Sequence, residues 1–171
     1  MERLPTKRQT KTETPVALVT RVLEGYASKG VFRGFSAQPA STVKASYRMV
    51  WHHDRPFDLT LDVSKKTLRF SNVLPGVTAG SQMYRELKAF LKALQSPALP
   101  EHRRVNPSKA TIRASNRRGS VSVTMTVNKR DFEYATRKIV HVVHEIFLIF
   151  LVDGPYYDYL VEQLGFDPDR F

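Results

Sequence analysis

Apolar and polar residues alternate most strictly in residues 42–74. From Val43 to Trp51, and again from Phe57 to Val63, apolar residues occupy every second position, with polar residues at nearly all positions between them. A third, shorter run of the same kind follows after a turn. A period of two residues is typical of strands with one buried and one exposed face. The pattern therefore predicts an antiparallel three-stranded meander.

A second pair of strands is predicted at residues 110–114 and 121–127, which alternate in the same way. The turn between them is Arg117-Arg118-Gly119, and a glycine at a short turn favours a hairpin. The segment Phe32–Pro39 has no clear period and is interpreted as a linker or an irregular strand.

Three longer segments have the helical period instead, with apolar residues three and four positions apart. We predict helices over Val16–Lys29, Gln82–Gln95 and Phe132–Val152, and a short amphipathic helix over Tyr156–Leu164. The fold class is therefore α+β, with the order α-β-β-β-α-β-β-α and a five-stranded antiparallel sheet that has its helices on one face.

The length of 171 residues fits a single α+β domain, which we place at residues 14–171. Residues 1–13 are polar, basic and aperiodic, and are expected to form a disordered arm. The longest apolar run, Ile146–Val152, is far shorter than the ~20 residues of a membrane span. The chain has no cysteine, which excludes thiol chemistry and cysteine–zinc sites. We expect a soluble, cytoplasmic protein with no membrane partner and no cofactor.

The predicted order of elements resembles that of type III secretion chaperones and of the related YbjN-like bacterial domains, over roughly residues 14–153. The segment Asp153-Gly154-Pro155-Tyr156-Tyr157-Asp158-Tyr159 also resembles part of a bacterial family of unknown function. The chaperone resemblance is one of topology, and it implies a homodimer that binds other proteins. Secretion chaperones are typically acidic, whereas this chain has a net charge of +11.

One string of residues offers a candidate metal site, His141-Val-Val-His144-Glu145. Side chains three and four positions apart share one face of a helix, so the three could reach one metal ion. Their order matches neither of the usual zinc-hydrolase patterns, His-Glu-x-x-His and His-x-x-Glu-His. We interpret the string as a solvated helix face with a His141–Glu145 pair. A metal-dependent enzyme therefore remains an alternative, while the favoured interpretation is that the protein is not an enzyme.

Positive charge is concentrated between Arg103 and Arg130, a stretch with eight Lys or Arg residues and no acidic residue. Such a segment can bind an external anion such as nucleic acid, or it can neutralise the acidic C-terminal end, within one subunit or across a dimer. The candidate anion-binding residues are Arg103, Arg104, Lys109, Arg113, Arg117 and Arg118. No aromatic residue accompanies them on the polar side of the strands, so base stacking is not supported.

The end of the chain is apolar enough to predict a protein interface. Residues 146–152 are apolar all round the helix, and several tyrosines follow, a residue type enriched at interfaces. The predicted interface residues are Leu148, Leu151, Val152, Tyr156, Tyr157 and Tyr159. Either the short C-terminal helix covers them or a second copy does. The leading hypothesis is a dimeric, protein-binding module of the chaperone or adaptor kind, with nucleic-acid binding and metal-dependent catalysis as alternatives.

Overall fold

The predicted α+β architecture is present in the computed structural model, which describes residues 13–170. Residues 1–12 of the predicted disordered arm lie outside this range. In chain order the elements are α1 (Pro15–Ser28), β1 (Arg33–Pro39), β2 (Lys44–Val50), a 3₁₀ turn (His52–Asp54), β3 (Pro56–Asp62), β4 (Thr67–Leu74), α2 (Gln82–Ala93), β5 (Ala110–Arg117), β6 (Ser120–Val127), α3 (Phe132–Glu145), a π-helical turn (Ile146–Phe150), a last α-helical turn (Leu151–Asp153), α4 (Tyr157–Leu164) and a 3₁₀ turn (Pro168–Arg170).

The six strands form one sheet with the spatial order β1-β2-β3-β4-β6-β5, and every neighbouring pair is antiparallel. The predicted meander of residues 42–74 is confirmed as β2, β3 and β4. The predicted hairpin is confirmed as β5 and β6. It joins the meander through β6, which pairs with β4 and places Met125 opposite Leu68.

The prediction of five strands is wrong, because the segment Phe32–Pro39 contains β1 and the sheet has six. β1 pairs with β2, and the ring of Phe35 stacks on that of Tyr47 with the ring centroids 6.1 Å apart. The register shifts near Gly34, whose φ of 59° is in the left-handed region. This irregularity breaks the alternation that would have revealed the strand, so the order begins α-β-β-β-β.

The two faces of the sheet differ in burial. The side chains of Tyr47, Phe57 and Phe70 are fully buried on the apolar face, whereas neighbouring residues on the other face, such as Arg48, are exposed. Each long helix contacts the apolar face. For example, the Tyr47 hydroxyl lies 2.8 Å from that of Thr20 on α1. The core therefore lies between the helices and one side of the sheet.

Capping residues fix where the helices begin. The side chains of Thr14, Ser81 and Asp131 accept hydrogen bonds from backbone N–H groups three residues later, at 3.1–3.2 Å. These bonds satisfy amides that would otherwise lack a partner in the first turn. The predicted starts of the three long helices are within one residue of those observed.

The last long helix is not α-helical throughout. α3 ends at Glu145 and the chain then makes a π-helical turn, Ile146–Phe150, before one more α-helical turn. A π-helical turn holds more residues per turn, so it shifts which side chains point inward. Beyond this helix, α4 folds back so that Tyr156 and Leu164 are buried in the same core.

Candidate functional site

His141, His144 and Glu145 share the last turn of α3 but have different environments. Glu145 is buried, with only 5% of its surface exposed, whereas both histidines are partly exposed. The prediction of a solvated face is therefore wrong for Glu145. The sequence did not reveal this burial, because the cover comes from a loop with no periodicity.

Loop residues 96–109 cover this part of α3. Lys138 Nζ donates hydrogen bonds to two backbone carbonyls of the loop, at 3.1 and 3.2 Å. Arg103 Nε, from the same loop, lies 3.7 Å from Glu145 Oε1, and His141 Nε2 lies 2.9 Å from that oxygen. The predicted His141–Glu145 pair is thus present, and the guanidinium of Arg103 lies beside the same buried carboxylate.

His144 points away from this cluster and meets His52, from the turn after β2. Their Nδ1 and Nε2 atoms lie 3.2 Å apart. The Trp51 indole is parallel to the His144 ring with centroids 6.2 Å apart, and the Phe147 ring stacks on His52 at 4.5 Å. The pKa of His52 is lowered to about 4, mainly by burial and in part by the neighbouring His144 and His53. Both rings of the pair are therefore neutral at neutral pH, since burial also lowers the pKa of His144.

The three candidate metal ligands consequently do not converge on one point. His144 faces His52, whereas His141 and Glu145 face Arg103. Within residues 13–170, no group of three or more His, Cys, Asp or Glu side chains is arranged to hold a metal ion. In the described part of the chain, the metal-dependent alternative has no set of ligands in place.

The structure divides the predicted interface residues into three groups. The exposed ones are Leu148 (52%), Val152 (62%) and Tyr157 (55%), the buried ones are Leu151 (1%) and Tyr156 (7%), and Tyr159 is partly buried. The prediction is therefore wrong for Leu151 and Tyr156, which belong to the core of one subunit. Leu151 turns inward because it follows the π-helical turn.

α4 folds back onto α2 and the loop before it, and this contact accounts for the burial of Tyr156 and the partial burial of Tyr159. The Tyr156 hydroxyl donates to the Glu86 carboxylate, and its ring packs against that of Phe150 with centroids 4.8 Å apart. The Tyr159 hydroxyl donates to the Pro75 carbonyl oxygen at 2.6 Å, and burial raises the pKa of this phenol. Both hydroxyls are thus engaged within one subunit.

A group of apolar side chains stays exposed after α4 has folded back. It comprises Leu148 and Val152 on the last turns of the long helix and Tyr157 and Val161 on α4, and we call it the C-terminal apolar patch. Among residues 13–170, these are four of the six exposed large hydrophobic side chains. Val161 was not among the predicted interface residues, although its spacing of four from Tyr157 could have indicated it.

The six candidate anion-binding residues do not form one surface. Arg103 and Arg104 belong to the loop that covers α3, and the Arg104 Nε atom is buried there. Lys109 lies beside the same helix, with Nζ 4.9 Å from the ring centroid of Tyr134. These three residues therefore belong to the packing of the loop against α3.

The other three candidates, Arg113, Arg117 and Arg118, are exposed on β5 and its turn. Arg113 lies on the side of the sheet opposite the apolar core, which we call the open sheet face. One row of paired residues crosses all six strands of this face, in the order Gln38, Ser46, Thr60, Arg69, Thr124 and Arg113. The open sheet face is thus polar and hydroxyl-rich.

Charges on the open sheet face are only partly compensated. Lys44 and Asp62 lie 3.9 Å apart on neighbouring strands, and Arg48 and Asp58 are the same distance apart. Arg69 instead donates to the Ser122 hydroxyl at 3.2 Å. The uncompensated positive charge therefore lies toward β4, β6 and β5.

No helix within residues 13–170 is both long and apolar enough to cross a membrane. Comparisons of the chain with protein-family models, with curated proteins and with solved structures found no match.

Proposed function

We propose that this protein is a non-enzymatic, protein-binding module of the chaperone or adaptor kind, which forms a homodimer through the C-terminal apolar patch. The observation that carries the proposal is that four of the six exposed large apolar side chains among residues 13–170 belong to the two C-terminal helices. Exposed hydrophobic side chains are common when single, but a group of them marks an interaction surface. Apart from the additional strand β1, the order of elements resembles that of secretion chaperones, and this resemblance implies the same function.

The patch stays open because the side of α4 that packs on the subunit is used against the core. Leu164 and Tyr156 face the core, so their burial uses the side that could otherwise have covered Leu148 and Val152. A second copy can cover the patch, because both helices of the patch expose apolar residues four positions apart. Two-fold dimers use the same surface on both subunits and are the commonest soluble oligomers.

Charge near the patch favours a second copy of the same chain. Asp153, Asp158 and Glu162 are exposed at the border of the patch. The basic hairpin turn, Arg117-Arg118-Gly119, lies at the same end of the fold, because the loop before α2 contacts both the turn and α4. The backbone N–H of Val77 donates to the Gly119 carbonyl oxygen at 2.9 Å, and Gln163 of α4 packs against the neighbouring Gly76. In a two-fold dimer, the basic turn of each subunit can face the acidic border of the other.

The first test is the mass of the protein in solution. We expect the wild type to be a dimer by light scattering, and the double variant Leu148→Asp, Val152→Asp to be a folded monomer. Both side chains are exposed in the subunit, so aspartate there removes the contact without disturbing the core. Each buried leucine or valine contributes about 1.5–3 kcal/mol to such an interface, and a charge buried in its place opposes association.

Val43→Asp is the matched control, because Val43 is also an exposed apolar residue, 38% accessible, but lies outside the patch. This variant should remain a dimer. A monomeric wild type would contradict the proposal. A double variant that is folded and still dimeric would place the interface on another surface.

A second candidate function is the binding of a polyanion such as nucleic acid by the open sheet face. The observation that favours it is the row in which Arg113 and Arg69 stand on either side of Thr124. Guanidinium and hydroxyl groups on a flat surface can contact phosphate oxygens, although such contacts carry no sequence information.

Salt dependence tests this second candidate. If the face holds phosphates, the logarithm of the affinity for a single-stranded oligonucleotide should fall by roughly 0.7 per phosphate contact for each tenfold rise in salt. Arg113→Ala should reduce this slope by about one contact. Arg21→Ala, an exposed arginine on α1 paired with Glu13, should not change it. The absence of binding at low salt would contradict this function.

A further inference from the structure

Two adjoining hollows lie beside Trp51, and no residue of the C-terminal apolar patch lines them. One has a volume of about 330 Å³ and the other about 310 Å³, and Val31, Trp51 and His144 line both. The first opens between β1 and the turn after β2, where His52 completes its wall. The second lies between α1 and α3, with Tyr26 as a further wall. Volumes of this size are typical of sites for small molecules.

The aromatic walls of the hollows are held rigidly. The Trp51 ring meets those of Phe32 and Phe57 edge-on, with centroids 5.8 and 5.6 Å apart. On its other side it is parallel to the His144 ring, with an interplanar angle of 4°. Fixed flat walls favour a planar ligand, because aromatic rings pack best in offset-stacked or edge-to-face arrangements.

The His52–His144 pair gives the hollows a defined polar group. One imidazole N–H of the pair is used in the 3.2 Å contact between Nδ1 of His144 and Nε2 of His52. Since both rings are neutral, the two remaining nitrogens are one donor and one acceptor, whichever tautomer is present. A ligand group that can both donate and accept, as a carboxamide can, is therefore able to hydrogen-bond to either remaining nitrogen in either tautomer.

The charges around the hollows disfavour a cation. Among the described residues, no carboxylate side chain lines either hollow, and the one arginine in the lining, Arg33, pairs with Asp54 at 2.7 Å. Burial lowers the pKa of both His52 and His144, which means that their protonated, positively charged forms are disfavoured at this site. The charge of a cationic ligand would be disfavoured for the same reason.

We propose that the Trp51 hollows bind a small, uncharged, planar aromatic molecule whose carboxamide-like group hydrogen-bonds to the free nitrogen of His52 or His144. The site is independent of the C-terminal apolar patch, because none of the four patch residues lines either hollow. Binding should therefore also occur in the monomeric Leu148→Asp, Val152→Asp variant. The failure of one proposal leaves the other intact.

The experiment uses the intrinsic fluorescence of Trp51, the single tryptophan of the chain. Benzamide has the planar ring and the carboxamide, cyclohexanecarboxamide has the carboxamide without the planar ring, and benzylammonium has the ring with a positive charge. We expect benzamide to change the fluorescence saturably, with a dissociation constant of about 1–10 mM for a ligand of this size. The other two probes should bind at least tenfold more weakly.

Variants assign the binding to the histidine pair. His52→Phe keeps a ring to stack on Phe147 but removes both nitrogens, and His144→Ala removes the partner; each should weaken benzamide binding at least tenfold. His102→Ala, at an exposed loop residue, should bind like the wild type. Unsaturable benzamide titration, equal binding of the three probes to the wild type, or undiminished binding by folded His52→Phe would each overturn the proposal.

Discussion

Replacing Leu151 by alanine is expected to lower the free energy of unfolding by about 2–5 kcal/mol, whereas Leu148→Ala should change it by less than about 0.5 kcal/mol. The two leucines lie three positions apart in one apolar run, yet Leu151 is 1% exposed and Leu148 is 52% exposed. Truncating a fully buried leucine removes its transfer free energy and leaves a cavity. Truncating an exposed one does neither.

The π-helical turn is the cause of this contrast, and urea unfolding measures it. Both changes should be made in the Val152→Asp background, so that loss of a dimer contact at Leu148 does not add to the unfolding free energy. Equal destabilisation by the two substitutions would contradict the burial described here. A small effect of Leu151→Ala would show that the helix continues without the π-helical turn, because a fixed 100° per residue leaves Leu151 near the edge of the buried side.

The strands that sequence predicts best are those whose alternation is uninterrupted. β2 and β3 keep one face apolar over their whole length, and a shift by one residue would bury aspartates such as Asp58 and expose leucines such as Leu59. The pairings Lys44–Asp62 and Arg48–Asp58 followed from the same register. Local pattern was sufficient there, because every residue of those strands obeys one period.

β1 and the end of the long helix could not be predicted in this way, because in both the backbone departs from a fixed period. Near Gly34 the register of β1 shifts, so Phe35 and Ala37 no longer continue the alternation with Phe32. At Ile146–Phe150 the helix changes its number of residues per turn, and a fixed 100° per residue then misplaces Leu151. No single residue in either segment indicates, from sequence alone, the register shift or the π-helical turn.

Only some features of the candidate site could be predicted from the sequence. The helix period places His141 near Glu145 and makes Leu148 an exposed residue, and both features are present. The His52–His144 contact joins residues 92 positions apart, on a turn and on a helix. A contact of this kind depends on how the sheet and α3 pack, which no local pattern encodes.

The same contact should make the stability of the fold depend on pH. His52 has a folded-state pKa of about 4, lowered mainly by burial, against an ordinary value of 6.5. As the pH falls below about 6.5, the unfolded chain takes up a proton at this residue that the folded chain does not. Stability is therefore fully present above pH ~6.5 and is lost progressively down to pH ~4. His144 and His53, whose pKa values are also lowered, act in the same direction.

Replacing His52 by glutamine should remove this residue's share of the pH dependence, because glutamine does not take up a proton in that range but can still hydrogen-bond to His144. A fully buried histidine would lose about 1.4 kcal/mol for each unit by which its pKa is lowered, but His52 is only partly buried. We therefore expect the wild type to lose about 1–2 kcal/mol more than His52→Gln between pH 7 and pH 4.5 in urea unfolding. The exposed His102→Gln should follow the wild type, because this variant leaves the His52–His144 pair intact. If His52→Gln and the wild type lose stability in parallel, the two rings are not held neutral by burial. The pair would then not offer one donor and one acceptor to a ligand.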